Sequence, residues 1–411
     1  MPTYPNHLSN GDLGDPTYIN ALVDDVATHK HTAADTIVGI GGDYTTIQAA
    51  LTAGVKSLWL KKELFLIDTP IVPPSEDFWI FSQGAEVRAH SAMARMLDLR
   101  GLRYCHLNGV FLNGYGLAAK CIDGLNSPSG PRMHDLRFSK FWGATDCGID
   151  FTGCEDSSLI GSWFDGRKAD DTTDLYGDYG LRIGEAGDGN KTGGQINLYD
   201  CKFGYQKKAD LYAKNVWDLK IYGSLFASKY TWSTAFVAHA ILEGGTGADW
   251  LAPKLLFNGC WFDGGTGAHP NILLQNIQSN EITMDGCMVA GTDAPNIYST
   301  LNPAVESLNI IGGKLERNAG GPHIQCPARN INVICPQYVG GSGIDKTNVT
   351  NYFEIKNGGA SIDTNYDFSM NSRYLLDPKN YVDATLSGTP KIVEIKIGGV
   401  SYYVKVYPTK T

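Results

Sequence analysis

HLNGVFLNG, residues 106–114, alternates apolar and polar side chains around a glycine and closes on a second glycine. The pattern returns as LRFSKFWGA (136–144), SLIGSWFDG (158–166), NLYDCKFGY (197–205) and KIYGSLFAS (220–228). It continues as LFNGCWFDG (256–264), TMDGCMVAG (283–291) and NIIGGKLER (309–317), with a weaker copy, NVICPQYVG, from 332. With 109, 139, 161, 200, 223, 259, 286 and 312 as anchors, the spacings run from 22 to 39 residues. A constant floor with irregular excess describes a solenoid: each copy is one coil, and the surplus residues leave it as surface loops. Like strands then stack about 4.8 Å apart, and alternate side chains fill a continuous core. Cys201, Cys260 and Cys287 share the position after the anchor, and Trp163 and Trp261 share another. Leucine-rich repeats would show a strict leucine consensus, and propeller blades run to about 40–50 residues. The pattern predicts an all-β fold, a right-handed parallel β-helix.

Composition agrees. The 411 residues include 48 glycines, and 43% are hydrophobic, enough to fill a large core. Net charge is −9 with scattered Lys and Arg, which argues against wrapping nucleic acid. No apolar run approaches the ~20 residues of a membrane span, so membrane insertion is not expected. The first residues, MPTYPNHLSNGDLGDP, have neither the basic nor the apolar region of a secretory signal. Nine cysteines, an odd number with no CxxC pair, argue against a disulfide framework or a zinc site. Several sit in apolar strand-like runs as buried thiols do, which fits a chain that folds in a reducing compartment.

Three regions are expected. Residues 1–40 form an N-terminal attachment or oligomerisation segment, 41–345 the β-helix with a capping helix, and 346–411 a small β domain. In the first, Ile19, Leu22, Val23 and Val26 sit at helical spacing. They fit packing on the solenoid end or a short coiled-coil seam. In the cap, GGDYTTIQAALTAGVKSLWL (41–60), Asp43 is placed as N-cap and Ile47, Ala50 and Leu51 share one face. Gly54 stops the helix, and a strand with Leu58 and Leu60 follows. At the far end, Val393, Ile395 and Ile397 alternate into Gly398-Gly399, and Val400, Tyr402, Val404 and Val406 alternate back, a hairpin.

The cap with its TIQAAL resembles the opening of pectin-lyase-like β-helix proteins, a group that includes polysaccharide lyases, glycosidases and phage tailspikes. His29-Lys30-His31-Thr32-Ala33-Ala34-Asp35 resembles the H-x-H-T-A-A-D signature of trimeric phage tail-fibre proteins. That resemblance implies a homotrimer attached to a virion tail or baseplate through its N-terminus. It also implies an iron or other transition-metal ion held between subunits by His29 and His31, a ligand type that suits such metals. No further cofactor is expected. Together these features point to a tailspike or tail-fibre protein that is assembled in the host cytoplasm and acts outside it. It would bind a cell-surface polysaccharide and, given catalytic loops, depolymerise it. Two other readings stay open: a monomeric polysaccharide lyase or glycoside hydrolase of this fold, and a non-enzymatic adhesin or structural spike.

Function in a solenoid lives in its loops. The two largest excesses, 166–194 and 228–253, leave coils two apart and would flank a groove over the shorter coil near 200–206. Asp170, Asp171, Asp178 and Glu243 are the candidate catalytic carboxylates, because glycoside hydrolysis runs on paired carboxyls. Tyr176, Arg182, Tyr230, Trp232 and Trp250 are the candidate glycan contacts. Asp165 and Asp263 share a register three coils apart and read as turn residues. DDTTDLYGD lacks EF-hand spacing, and no nucleotide-binding or serine-hydrolase motif occurs.

Overall fold

The computed structural model describes residues 36–126, 130–167, 177–184, 194–228, 234–244, 254–264, 267–275, 281–299, 305–334 and 336–356. It also describes the strand segments 359–362, 386–387, 391–397, 400–406 and 409–410, with side chains described as far as 354. The N-terminal segment with His29 and His31 lies outside these residues.

Among the described residues three long sheets of 14, 11 and 10 strands, here called A, B and C, lie between Thr36 and Ile362. One strand per coil enters each, in the order A, B, C, and the pairing within them is parallel throughout the coils, as in Leu136↔Leu159 and Ile149↔Leu181. This is the expected parallel β-helix. Strand Gly359–Ile362 pairs antiparallel with the last long strand of sheet A. The expected C-terminal hairpin is formed by Lys391–Ile397 and Val400–Val406, paired from Ile397↔Val400 to Lys391↔Val406.

The repeat maps onto the corner between sheets A and B. Residues 109, 161, 200, 223, 259, 286 and 312 all have left-handed backbone, with φ between 52° and 71°. Each donates its N–H to the next coil, as Gly259 does to Asp285 O and Gly286 to Ile311 O. A Cβ at Gly259 or Gly286 would meet nothing within 4 Å, so it is the backbone conformation that favours glycine there. One anchor shifts by a residue. Phe138, not Ser139, takes the left-handed position with φ 49°, and Ser139 follows it into the interior. The next position stacks Ser162, Cys201, Ser224, Cys260 and Cys287, all buried. Further inward Phe164, Phe203, Phe226 and Phe262 stack at 4.5, 5.0 and 4.7 Å with near-parallel rings. Asp165 is the expected turn residue, its carboxylate accepting from Arg167 N at 2.9 Å.

The capping helix spans Ile47–Thr52 with Ile47, Ala50 and Leu51 buried, and Leu58 and Leu60 follow as buried strand residues. Its N-cap is Thr46, whose Oγ1 accepts from Ala49 N at 3.1 Å, rather than Asp43. Asp43 instead accepts from Ile37 N at 2.9 Å, tying the cap to the first strand.

The interior corner between sheets B and C is polar. Asp210, His239, Asn271, Asn296 and His323 occupy successive coils there, all at most 2% exposed. Asn271 Nδ2 donates to Asn296 Oδ1 at 3.0 Å, and His239 lies 2.7 Å from Asp210 and 3.2 Å from Asp263 O. Ser228 also hydrogen-bonds Asp210. Because the serine meets the aspartate and not the histidine, and all three are buried, they form an internal brace and not a nucleophile relay.

Candidate functional site

The two long excesses are not single loops. Tyr179–Gly184 and Ala238–Glu243 are strands of sheet C, and Ala209–Lys214 lies between them. A strand of sheet C therefore interrupts each excess. The expected groove would lie over the outer face of that sheet, where the coil containing 200–206 contributes the middle strand, Ala209–Lys214. The loop residues Asp170, Asp171, Tyr176, Tyr230, Trp232 and Trp250 lie outside the described residues. Asp178, Arg182 and Glu243 are described, and all three sit on this sheet or at its edge.

Sheet C strands place side chains in an outward, inward, inward, outward order, because the second residue turns into the polar corner. Arg95-Met96-Leu97-Asp98 and Lys120-Cys121-Ile122-Asp123 follow it, in register. Asp98, Asp123, Asp150, Arg182, Tyr212, Ile241, Leu273 and Tyr298 make one outward column along the helix axis. The column runs from carboxylates through a guanidinium to aromatic and apolar groups.

Its charged end is a continuous ion-pair chain. Arg95 bridges Asp98 at 2.9 Å and Asp123 at 3.1 Å. Lys120 bridges Asp123 at 3.2 Å and Asp150 at 2.8 Å. Arg182 bridges Asp150 at 3.1 Å and Asp146 at 2.7 Å. Burial would raise the Asp98 carboxyl, but hydrogen bonds from Arg100 and Arg95 hold it at about 2. Burial likewise opposes ionisation of Asp150, and Lys120 and Arg182 outweigh it, so its pKa is lowered. Asp98 and Asp150 are therefore fixed anions. Neither can serve at neutral pH as the protonated acid that glycoside hydrolysis requires.

The other end is an aromatic shelf. The Tyr179 and Tyr212 rings lie 5.4 Å apart, with Arg182 5.0 Å and Lys208 5.7 Å from the Tyr179 ring centre. Ala209, Ala238, Ile241 and Leu273 form a small apolar cluster on this outer face, apart from the main core. Tyr212 Oη donates to Glu243 Oε2 at 2.5 Å, and Lys214 stands 3.8 Å from Glu243. Burial first and that carboxylate second push the Tyr212 phenol upward, so it stays a donor at neutral pH. Asp178 pairs with Lys208 at 2.7 Å.

Asp178 and Glu243 thus have separate partners at opposite edges of the sheet. Two strand spacings across and about six residues along put them roughly 20 Å apart, far beyond the reach of an acid–base pair. Arg182 is held by two carboxylates, Asp146 and Asp150. Sequence reasoning missed the chain of Arg95, Asp98, Lys120, Asp123, Asp146 and Asp150. Its signal was an apolar residue followed by aspartate, recurring as Leu97-Asp98, Ile122-Asp123 and Ile149-Asp150. Among the described residues no group of three or more His, Cys, Asp or Glu side chains is arranged to hold a metal ion. The proposed His29 and His31 ligands lie outside those residues.

No protein-family model and no curated protein matches the chain. Solved structures of similar shape include the A-module of mannuronan C-5 epimerase AlgE4 from Azotobacter vinelandii. Its identity is 9% and its TM-score 0.49, over 76% of this chain and 91% of that one. The surface adhesin PfbA of Streptococcus pneumoniae aligns at 12% identity and TM-score 0.47, over 87% of this chain and 94% of that one. ORF18 of Geobacillus virus E2 aligns at 11% identity and TM-score 0.46, over 96% of this chain and 75% of that one.

Proposed function

We propose that the chain is a phage tailspike or tail-fibre protein that binds a cell-surface polysaccharide along the outer face of sheet C. The observation that carries this reading is the Tyr179–Tyr212 shelf, flanked by Arg182, Lys208 and Lys214 and running along the solenoid axis. Aromatic faces stack on sugar rings, and the surrounding charges offer donors and acceptors to hydroxyl groups. Two rings on adjacent coils suit consecutive sugar units of a polymer lying along the axis.

The virion part of the proposal rests on the His29–Asp35 signature and the cysteines. The eight described cysteines are free and buried, as suits assembly in a reducing host cytoplasm before action outside the cell. Self-association into a homotrimer draws support from the outer face of sheet B. Trp261 and Met288, on adjacent coils, are exposed there by 46 and 37%. An ion between the subunits would be held by His29 and His31.

Within this proposal the described part of sheet C is a binding face, because Asp98 and Asp150 are held ionised and Asp178 and Glu243 stand too far apart to act as a pair. Depolymerisation would draw its acid from the loop carboxylates Asp170 and Asp171. Light scattering on the full chain and on a variant lacking residues 1–35 tests the assembly. A trimeric mass that falls on truncation is expected, and a monomer in both overturns the spike reading. Assaying isolated bacterial surface polysaccharides for new reducing ends or unsaturated products tests cleavage. Loss of product on Asp170→Asn or Asp171→Asn is expected of a depolymerase, and binding without product makes the protein an adhesin-like spike.

A further inference from the structure

A concavity of about 530 Å³ lies on the outer face of sheet A and uses none of the sheet C residues described above. That volume is within the range of small-ligand sites. Three neighbouring strands build it: Asp218–Tyr222, Lys254–Asn258 and Glu281–Asp285. Register sets their outward side chains in a grid. Asp218, Lys254 and Glu281 form one row, and Lys220, Leu256 and Thr283 the next. Trp217 stands at the end of the grid, 38% exposed.

The indole is fixed in place. Gly194, on the preceding coil, is so close that a Cβ there would overlap the ring. The backbone at Trp217 is tied down as well, its carbonyl accepting from Lys254 N at 3.0 Å. Two strand positions beyond Lys220, Tyr222 stacks on Tyr199 at 5.0 Å with a 5° interplanar angle, and Tyr199 is 37% exposed. From Trp217 to Tyr222 is about 16 Å along the strand. The face therefore offers an aromatic wall at each end and an apolar floor at Leu256.

The charges select the ligand. Two carboxylates, Asp218 and Glu281, oppose two ammonium groups, Lys220 and Lys254, and the grid is neutral. Lys220 is tied to Asp218 at 2.8 Å. Among the described residues Lys254 pairs with no carboxylate, although Asp218 and Glu281 flank it in register. A uronate or phosphate approaching Lys254 would meet Asp218 and Glu281 on either side, and one approaching Lys220 would meet the Asp218 carboxylate already paired to it. Alternating donors and acceptors beside a rigid indole match adjacent hydroxyl groups on the edge of a sugar ring whose apolar face stacks.

We infer that this concavity is a binding site for a neutral pyranose, one end of a short oligosaccharide lying along the strands from Trp217 toward Tyr222. It shares the carbohydrate chemistry proposed for sheet C but uses none of its residues, so the two fail separately. The test is saturation-transfer NMR on the full chain with a panel of neutral methyl hexopyranosides, N-acetylhexosaminides and their disaccharides, alongside a methyl glucuronide. Expected is transfer to ring protons of at least one neutral glycoside. Its affinity falls at least about tenfold in Trp217→Ala and is unchanged in Tyr212→Ala. Gly194→Ala, which keeps the tryptophan but displaces it, produces the same loss. Lys254→Gln, a surface change that leaves the fold intact, weakens binding severalfold and serves should either of the others fail to fold. No transfer to any neutral glycoside overturns the inference, as does transfer insensitive to Trp217→Ala and Lys254→Gln. Stronger binding of the glucuronide overturns it too. A signal lost in Tyr212→Ala but kept in Trp217→Ala returns carbohydrate binding to sheet C alone.

Discussion

Arg182→Met tests whether charge or packing holds the binding face together. Arg182 sits between Asp150, whose side chain is 5% exposed, and Asp146, at 37%. Methionine keeps much of the apolar stem over Tyr179 and removes the charge. Asp150 retains Lys120 at 2.8 Å and Thr152, whose Oγ1 donates at 2.6 Å. The loss should therefore lie below the ~3–5 kcal/mol of a fully broken buried pair and above the ~0–1 kcal/mol of a surface pair. About 2 kcal/mol follows. At ~2.1 cal/mol/K per residue over a solenoid of roughly 320 residues, that lowers the melting midpoint by about 3 °C at pH 7.

The pH dependence separates the causes. Asp150 has a folded pKa below its ordinary value of ~3.9. Its stabilising contribution is present above that unfolded value and is lost as pH falls through the folded one. Arg182 supplies part of the depression, so the gap between wild type and Arg182→Met is full at pH 7 and narrows below about pH 4. Calorimetric melts from pH 7 to pH 2.5 read it directly. A gap of constant size down to pH 2.5 would falsify the electrostatic account and make Arg182 a packing residue on Tyr179.

Other consequences are independent of this one. Phe226→Ala, in the middle of the phenylalanine stack and fully buried, should cost about 3–5 kcal/mol, with Phe226→Leu costing less. Equal denaturation midpoints for the two would deny the stack a packing role. Gly286→Ala carries left-handed strain alone, about 1–2 kcal/mol. Gly313→Ala adds overlap of its Cβ with Cys287 O and should lower the melting temperature further. The reverse order would show that the corner geometry is misread. Thr46→Ala removes the N-cap of the first helix and should cost about 1 kcal/mol. Cys260 and Cys287, 1% and 4% exposed, should resist a thiol reagent until the solenoid unfolds, and rapid labelling of either in the native protein would contradict their burial.

The repeat was legible because it covers the one corner whose backbone demands a particular residue. A left-handed position between two alternating strands selects glycine, and Gly109, Gly161, Gly223, Gly259, Gly286 and Gly312 mark it. Phe138 and Asp200 take the same conformation without being glycine, and the anchor slipped by one residue at Phe138. Sheet C was harder to read. Its strands break simple alternation, since Asp210 and His239 turn polar side chains inward at the corner while Tyr212 and Ile241 face outward. Tyr179–Gly184 and Ala238–Glu243 consequently read as pieces of loops. What the two excesses did show is which coils neighbour one another, since Tyr179–Gly184 and Ala238–Glu243 flank Ala209–Lys214 in sheet C. The ion pairs were not legible, because Arg182 meets Asp146 and Asp150 across 36 and 32 residues of chain, through a register that only the stacked coils establish.

Binding to isolated bacterial capsular polysaccharides and lipopolysaccharide O-chains, measured on the full chain and on the Lys208→Glu/Tyr212→Ala variant, bears most directly on the central claim. The account predicts saturable binding to at least one polysaccharide, weakened at least about tenfold in the variant, with its melting temperature close to wild type. Binding of equal strength by both proteins, or binding to none of the polysaccharides, would contradict a glycan-binding role for the outer face of sheet C.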